Sequence, residues 1–247
     1  MQFGAIIIGD EIMSGKRQDK HKAQVIATLG ERGLELGWCQ YLADDPALIT
    51  STLRRTLATD DVVFSFGGIG ATPDDHTRQC AASAAGVALC LHPDAESEIR
   101  ARFGADITPQ RLAMGEFPRG SRIIPNPYNR IPGFNLAHHH FLPGFPQMAW
   151  PMMAWVLDTW YAHLFDAGRV AESAIVVRGA GESQLIDLMN ATLARFPALK
   201  VFSLPHMSET DRYIELGVRG DKAMVPAAIA ELKSGVVGLG FSWADTP

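Results

Sequence analysis

The sequence predicts an α/β protein whose mostly parallel sheet is covered by helices on both faces, followed by a small α+β domain. Three observations predict it. Short apolar runs at residues 5–8 and 62–66 end at glycine, as buried parallel strands do. Segments with apolar residues at helical spacing alternate with such runs. Glycine-rich or acidic stretches follow the strand-like runs, and in such sheets ligands bind beyond the carboxyl ends of the strands.

The elements follow in order. Residues 5–8 are an apolar strand stopped by Gly9. Residues 19–32 place Val25, Ile26 and Leu29 at helical spacing, and Gly33 suits the stop. Residues 34–42 are strand-like. Asp44-Asp45-Pro46 opens a helix, with Asp as cap, Pro in the first turn, and Leu48, Ile49, Leu53 and Leu57 as its apolar stripe. Residues 62–66 form the next strand and 77–85 the next helix. Residues 92–115 are polar and helical. The stretch 118–145 is rich in Pro, Gly and Asn, which predicts loops and short strands. Residues 149–165 return to helix with an apolar, aromatic face. After a pause at 166–168 a second unit reads strand 174–178, helix 182–195, strand 199–204, strand 213–219 and helix 223–233. That β-α-β-β-α order suits a small α+β sandwich. The predicted domains are therefore 1–168 and 169–247.

Composition bounds the function. A formal net charge of −5 argues against a nucleic-acid partner held by a general basic field. Cys39, Cys80 and Cys90 form no CxxC pair and are odd in number, so reduced structural thiols in a cytoplasmic protein are expected. The N-terminus has no secretory pattern, and no apolar run reaches membrane-spanning length, so no membrane partner is expected.

The chemistry concentrates at the strand ends. Gly67, Gly68 and Gly70 lie between the apolar run and Asp74, Asp75 and Thr77. Backbone N–H groups in such a turn wrap an anion, and a helix start adds partial positive charge. The carboxylates would repel a phosphate unless a cation stood between them. This predicts a phosphorylated ligand held with Mg²⁺ or another divalent cation, with Thr77 bonding a phosphate or capping the helix. Asp10 and Glu11 follow the first strand as either a capped turn or a cation contact. Asp44 follows the second strand as either a cap or a magnesium ligand. Residues 9–16 fail as a P-loop, because five residues separate the glycines and Arg17 stands where Ser or Thr would hold magnesium. His138-His139-His140 alternate across a strand and chelate one ion poorly, so a solvated hairpin or loop is predicted. Leu142-Pro143-Gly144-Phe145-Pro146 reads as a rigid loop.

Taken together, Gly9-Asp10-Glu11-Ile12-Met13-Ser14-Gly15 with Asp19, Asp44-Asp45, the run from Gly67 through Arg78, Pro125-Asn126-Pro127 with Pro132-Gly133-Phe134, and the Pro143-Gly144 loop come in an order that resembles the MoaB/MogA-type molybdopterin-binding domain. The likeness is strongest to the N-terminal module of CinA-like proteins. It implies a three-layer α/β fold over residues 1–168, assembly as a homodimer or homotrimer, and a sheet-end pocket for a pterin phosphate or nucleotide. Asp44 and Asp75 fall on the family's two functional aspartate positions, and Pro143 and Gly144 join the ligand wall. His21 stands where many such modules carry Asn, and Gln147 departs from the usual context after the proline loop. The resemblance implies metal-dependent hydrolysis of an ADP-ribose-type pyrophosphate. Its alternatives are adenylyl transfer to molybdopterin in molybdenum-cofactor synthesis, or pterin or nucleotide binding without catalysis. Nicotinamide-mononucleotide deamidation is not expected.

Overall fold

A computed structural model describes residues 1–166, 170–208 and 211–246. The chain divides into two units, Met1–Phe165 and Asp166–Pro247. The sequence-based boundary at residue 168 falls at 167–169, outside the described residues.

The first unit contains, in order, β1 (Phe3–Ile8), α1 (Asp10–Met13), α2 (His21–Gly30), β2 (Leu36–Leu42), α3 (Pro46–Leu57), β3 (Val62–Phe66), α4 (Thr77–Ala85), β4 (Leu89–Leu91), α5 (Pro93–Phe103), α6 (Pro109–Ala113), β5 (Glu116–Pro118), β6 (Arg122–Ile124), β7 (Gly133–Leu136), β8 (His139–Leu142) and α7 (Pro146–Trp160). Its main sheet has the order β2-β1-β3-β8-β7-β6. The first four strands are mutually parallel; β7 pairs antiparallel with β8, and β6, antiparallel to β7, runs with the first four at the edge.

Strand alternation sorts the side chains into two cores. Phe3, Ala5, Ile7, Val62, Phe64 and Phe66 pack against α2 and α7. Ile6, Ile8, Val63 and Phe141 face the other way, against α3 and α4. This is the three-layer arrangement. Each fully buried Phe or Leu stabilises it by about 1.5–3 kcal/mol. On the second face Phe117, Phe134 and Phe141 stack in succession, with centroid separations of 4.8 and 4.4 Å.

Register positions the site. Ile8 pairs with Leu42, Ile7 with Phe66, and Phe66 with Leu142. The four parallel strands therefore end at one level. The loops beginning at Gly9, Ala43, Gly67 and Pro143 leave the sheet side by side.

The second unit comprises β9 (Val170–Arg178), α8 (Ile186–Arg195), β10 (Lys200–Met207), β11 (Arg212–Asp221), α9 (Val225–Gly238) and β12 (Ser242–Asp245). Its antiparallel sheet has the order β10-β11-β9-β12. That is the split β-α-β arrangement with one strand more than the sequence reading gave. Strand β12 is short and is half-buried only at Trp243, so no alternating pattern announces it. Leu216, Val218, Leu232 and Val236 lie in its core.

Two expectations are corrected. His139 and His140 are not solvated: they are 1% and 0% exposed, on β8 between β3 and β7. Their rings do point to opposite faces. His139 Nε2 meets Thr56 Oγ1 at 2.8 Å, and His140 Nε2 meets Tyr161 Oη at 2.8 Å, so each finds a partner on its own side. Leu48, placed in the apolar stripe of α3, is exposed, while Ile49 and Leu53 are buried. The three cysteines are free, with Cys80 buried and Cys90 exposed.

Candidate functional site

A cavity of 440 Å³ opens at the common strand ends. One side is the turn of residues 67–72, with Glu11, Asp44, Asp74 and Asp75 around it. Apolar Met114, Ile131, Pro132, Phe145 and Met148 line it too, with Asn126 and Asn129. Pro143 and Gly144 also line it. The site thus offers charged and apolar groups in one cavity.

The turn depends on its glycines. Gly67 and Gly68 have φ of +103° and +68°, which favour glycine. A side chain at Gly67 would strike the Ile8 carbonyl, and one at Gly68 would strike Thr77 Oγ1. The N–H groups of Gly68, Ile69, Gly70 and Ala71 find no acceptor among the described residues. Four adjacent unpaired donors at a cavity wall are a cradle for an anion.

Thr77 does not line this cavity. It is fully buried, and its hydroxyl donates to the Gly67 carbonyl at 3.0 Å while its N–H donates to the Gly68 carbonyl at 2.9 Å. It holds the turn rather than facing a ligand.

The carboxylates divide the work. Asp75 Oδ2 accepts the Thr72 N–H at 2.8 Å and also the Thr72 hydroxyl, closing the loop on itself. No described residue bonds Asp75 Oδ1. Asp74 is exposed, and its bond with Thr72 holds its carboxyl below the usual carboxylate range. Asp44 is half-buried. Its burial pushes its carboxyl upward, and the negative charges of Asp10, Glu11 and Asp74 push it further. Asp10 begins α1 and exchanges hydrogen bonds with Asp44. It lines a second, more open cavity of 610 Å³ that adjoins the first through Glu11, Asp44 and Asp74. Asp44 and Asp75 therefore share the main cavity, and Asp10 reaches only its neighbour.

Among the described residues no three His, Cys, Asp or Glu side chains form a group that could hold a metal ion. The donor set still suits a hard cation. Mg²⁺ commonly takes one or two carboxylates, keeps waters and draws the rest of its shell from substrate phosphates. One or two of Asp44, Asp74 and Glu11 would hold it, with waters and substrate phosphate filling the rest of the shell.

Two contributors escaped the sequence reading. Arg17 lines the main cavity, is exposed, and has no side-chain partner among the described residues. Its only signal in the sequence is its place in the first loop, at the position where a P-loop would have Ser or Thr. Arg78 is 3% exposed, and its Nη2 donates to the Gly70 carbonyl at 2.7 Å. His21, the departure noted above, is buried and stacks on Phe66 at 4.5 Å. Its Nε2 donates to the Gly144 carbonyl at 3.1 Å, so it braces the proline loop from behind. Asp19 caps α2 by accepting the N–H groups of His21 and Lys22, and it also accepts the Tyr41 hydroxyl.

Fold and cleft together define a three-layer α/β protein with its pocket beyond the carboxyl ends of a mostly parallel sheet. The family model described as "Probable molybdopterin binding domain" matches residues 4–163, and the chain belongs to that family. It is 29% identical to a CinA-like protein of Chlorobium luteolum over 244 residues, covering 92% of this chain and 56% of that one. It is 33% identical to a CinA-like protein of an Anaeromyxobacter species over 210 residues, covering 80% and 44%. The chain spans roughly a third to a little over half the length of the curated relatives it matches. The crystal structure of CinA from Thermoplasma acidophilum superposes with a TM-score of 0.58 at 30% identity, covering 64% of this chain and 96% of that one.

Proposed function

We propose that this protein hydrolyses the pyrophosphate bond of an ADP-ribose-type nucleotide with the help of a divalent cation. One observation carries the reading: unpaired N–H donors, Arg17, four carboxylates and several apolar side chains line one cavity. The donors suit phosphate oxygens, and Phe145 and Met148 suit the flat face of a base. Four carboxylates against one arginine would repel a bare pyrophosphate. A bound cation supplies charge neutralisation and polarises the phosphoryl group.

The chain's own residues do the rest. One or two of Asp44, Asp74 and Glu11 would hold the cation. The cradle N–H groups orient one phosphate and stabilise charge as it develops. Asp75 is locked through Oδ2, which leaves Oδ1 to accept the proton of the attacking water. The water oxygen bonds to phosphorus, the bond to the bridging oxygen breaks, and AMP and ribose 5-phosphate leave.

The test is incubation with ADP-ribose, FAD, NAD and molybdopterin in the presence of Mg²⁺, Mn²⁺ or Co²⁺. The reading predicts metal-dependent release of AMP from ADP-ribose. An AMP-linked molybdopterin would assign adenylyl transfer instead, and tight binding without product would assign a sensor.

A further inference from the structure

The turn that lines the cavity keeps its N–H groups unpaired among the described residues while three of its carbonyls are tied down. A trans peptide is planar, with C=O and N–H on opposite sides. Whatever anchors the carbonyl of one residue therefore aims the N–H of the next. Three peptide units of the turn are anchored in this way. The Gly67 carbonyl accepts Thr77 Oγ1 at 3.0 Å, which turns the Gly68 N–H the other way. The Gly68 carbonyl accepts the Thr77 N–H at 2.9 Å, which turns the Ile69 N–H. The Gly70 carbonyl accepts Arg78 Nη2 at 2.7 Å, which turns the Ala71 N–H. Gly68, Ile69, Gly70 and Ala71 line the cavity, whereas Thr77 and Arg78 lie behind them, buried.

We infer that Thr77 and Arg78 are positioning residues that aim three backbone donors, Gly68, Ile69 and Ala71, at one phosphate oxygen cluster. The inference rests on the phosphate reading of the site above. Arg78 is suited to the task. Its guanidinium is almost wholly buried, and its Nη1 donates to the Ala113 and Glu116 carbonyls, so the fork is fixed by α6 and β5. It also leaves a positive charge directly behind the cradle. The glycines complete the device. A Cβ at Gly68 would meet Thr77 Oγ1, so glycine there is what lets the Thr77 support come close, and a Cβ at Gly70 would meet Asp75 Oδ2 at 2.5 Å.

The assignment of tasks is separable by residue, and that makes it testable. The probe is inorganic pyrophosphate with Mg²⁺, titrated into the full chain while amide proton shifts are followed by NMR. In the unaltered protein the amide protons of Gly68, Ile69 and Ala71 move downfield on binding. In Arg78→Ala the Ala71 response disappears while those of Gly68 and Ile69 remain. In Thr77→Val the Gly68 response disappears while Ile69, held by the Thr77 backbone, keeps its own, and Thr77→Ser restores Gly68. Each lost donor weakens pyrophosphate binding about tenfold. An Ala71 response that survives in folded Arg78→Ala, or a Gly68 response that survives in Thr77→Val, overturns the inference. Should Arg78→Ala not fold, Thr77→Val decides, since it removes one hydroxyl and no charge. Responses absent from the unaltered protein overturn the phosphate reading itself, a result distinct from losses confined to the variants.

Discussion

Asp10 and Asp44 clasp each other: the Asp10 N–H donates to Asp44 Oδ2 at 2.8 Å, and the Asp44 N–H donates to Asp10 Oδ1 at 3.1 Å. The pair joins the loop after β1 to the loop after β2, thirty-four residues apart. Each side chain is thereby a backbone cap for the other, and each keeps one oxygen clear of the clasp. Two like charges are held together in this way, beside Glu11 and Asp74. The arrangement is electrostatically unfavourable without a cation, which is the physical argument for one.

Asp44→Asn tests charge apart from structure. Asn keeps an oxygen to accept the Asp10 N–H and relieves the repulsion from Asp10, Glu11 and Asp74, so thermal stability should be kept or rise. Metal-dependent AMP release should fall about 10–100-fold. Asp44→Ala also removes the acceptor and should cost about 1 kcal/mol of stability. Thermal unfolding and turnover measured on both variants decide it; full activity in Asp44→Asn contradicts the assigned role.

Arg17→Gln should leave the melting temperature in place, because no described residue pairs with its guanidinium. Pyrophosphate affinity with Mg²⁺ should drop about tenfold, the worth of one charge-assisted hydrogen bond. Calorimetric titration reads the change. Equal affinity would remove Arg17 from the site.

Gly67→Ala and Gly86→Ala compare strain with collision. Gly86, at φ +67°, has open space around its missing Cβ, so alanine there should cost only the backbone strain of about 1–2 kcal/mol. At Gly67 alanine adds a collision with the Ile8 carbonyl and should cost distinctly more. Urea unfolding of the two variants ranks them, and equal losses would mean that the turn relaxes freely.

Acid should weaken the first unit through its buried histidines. Burial lowers the pKa of His21, holds His139 down at about 4 and His140 well below its ordinary value. Above pH 6.5 these imidazoles are neutral in both states, and their contribution to stability is fully present. As the pH falls from 6.5 towards the folded values, the unfolded chain binds protons that the fold refuses. Stability is then lost at up to about 1.4 kcal/mol per pH unit for each ring. Denaturant unfolding between about pH 7 and about pH 5 should show this slope, reduced by one ring's share in His139→Gln. A flat profile would contradict the burial of these rings.

Much of the fold was legible because its signals are local. The apolar run ending at Gly67, the Asp45 cap that accepts the Ala47 and Leu48 N–H groups, and the left-handed Gly33 each speak through one or two residues. The acidic loops could be gathered from the parallel order alone. What was hidden depends on partners far away in sequence. His139 and His140 read as polar, and only Thr56 and Tyr161 make their burial tolerable. Thr77 and Arg78 read as ligand-facing or as unremarkable helix residues, because the carbonyls that they hold are a property of the turn's path. Arg17 became visible only when the first loop was seen beside Gly67 and Asp74.

The account turns on a cation-shielded phosphoanhydride in the main cavity. Calorimetric titration of an ADP-ribose analogue whose bridging oxygen is replaced by methylene, with Mg²⁺ and then with excess EDTA, tests this most directly. Saturable binding with Mg²⁺ that vanishes in EDTA and is lost in Asp44→Asn is the predicted result. Binding of equal strength in EDTA, or no binding under either condition, would contradict it.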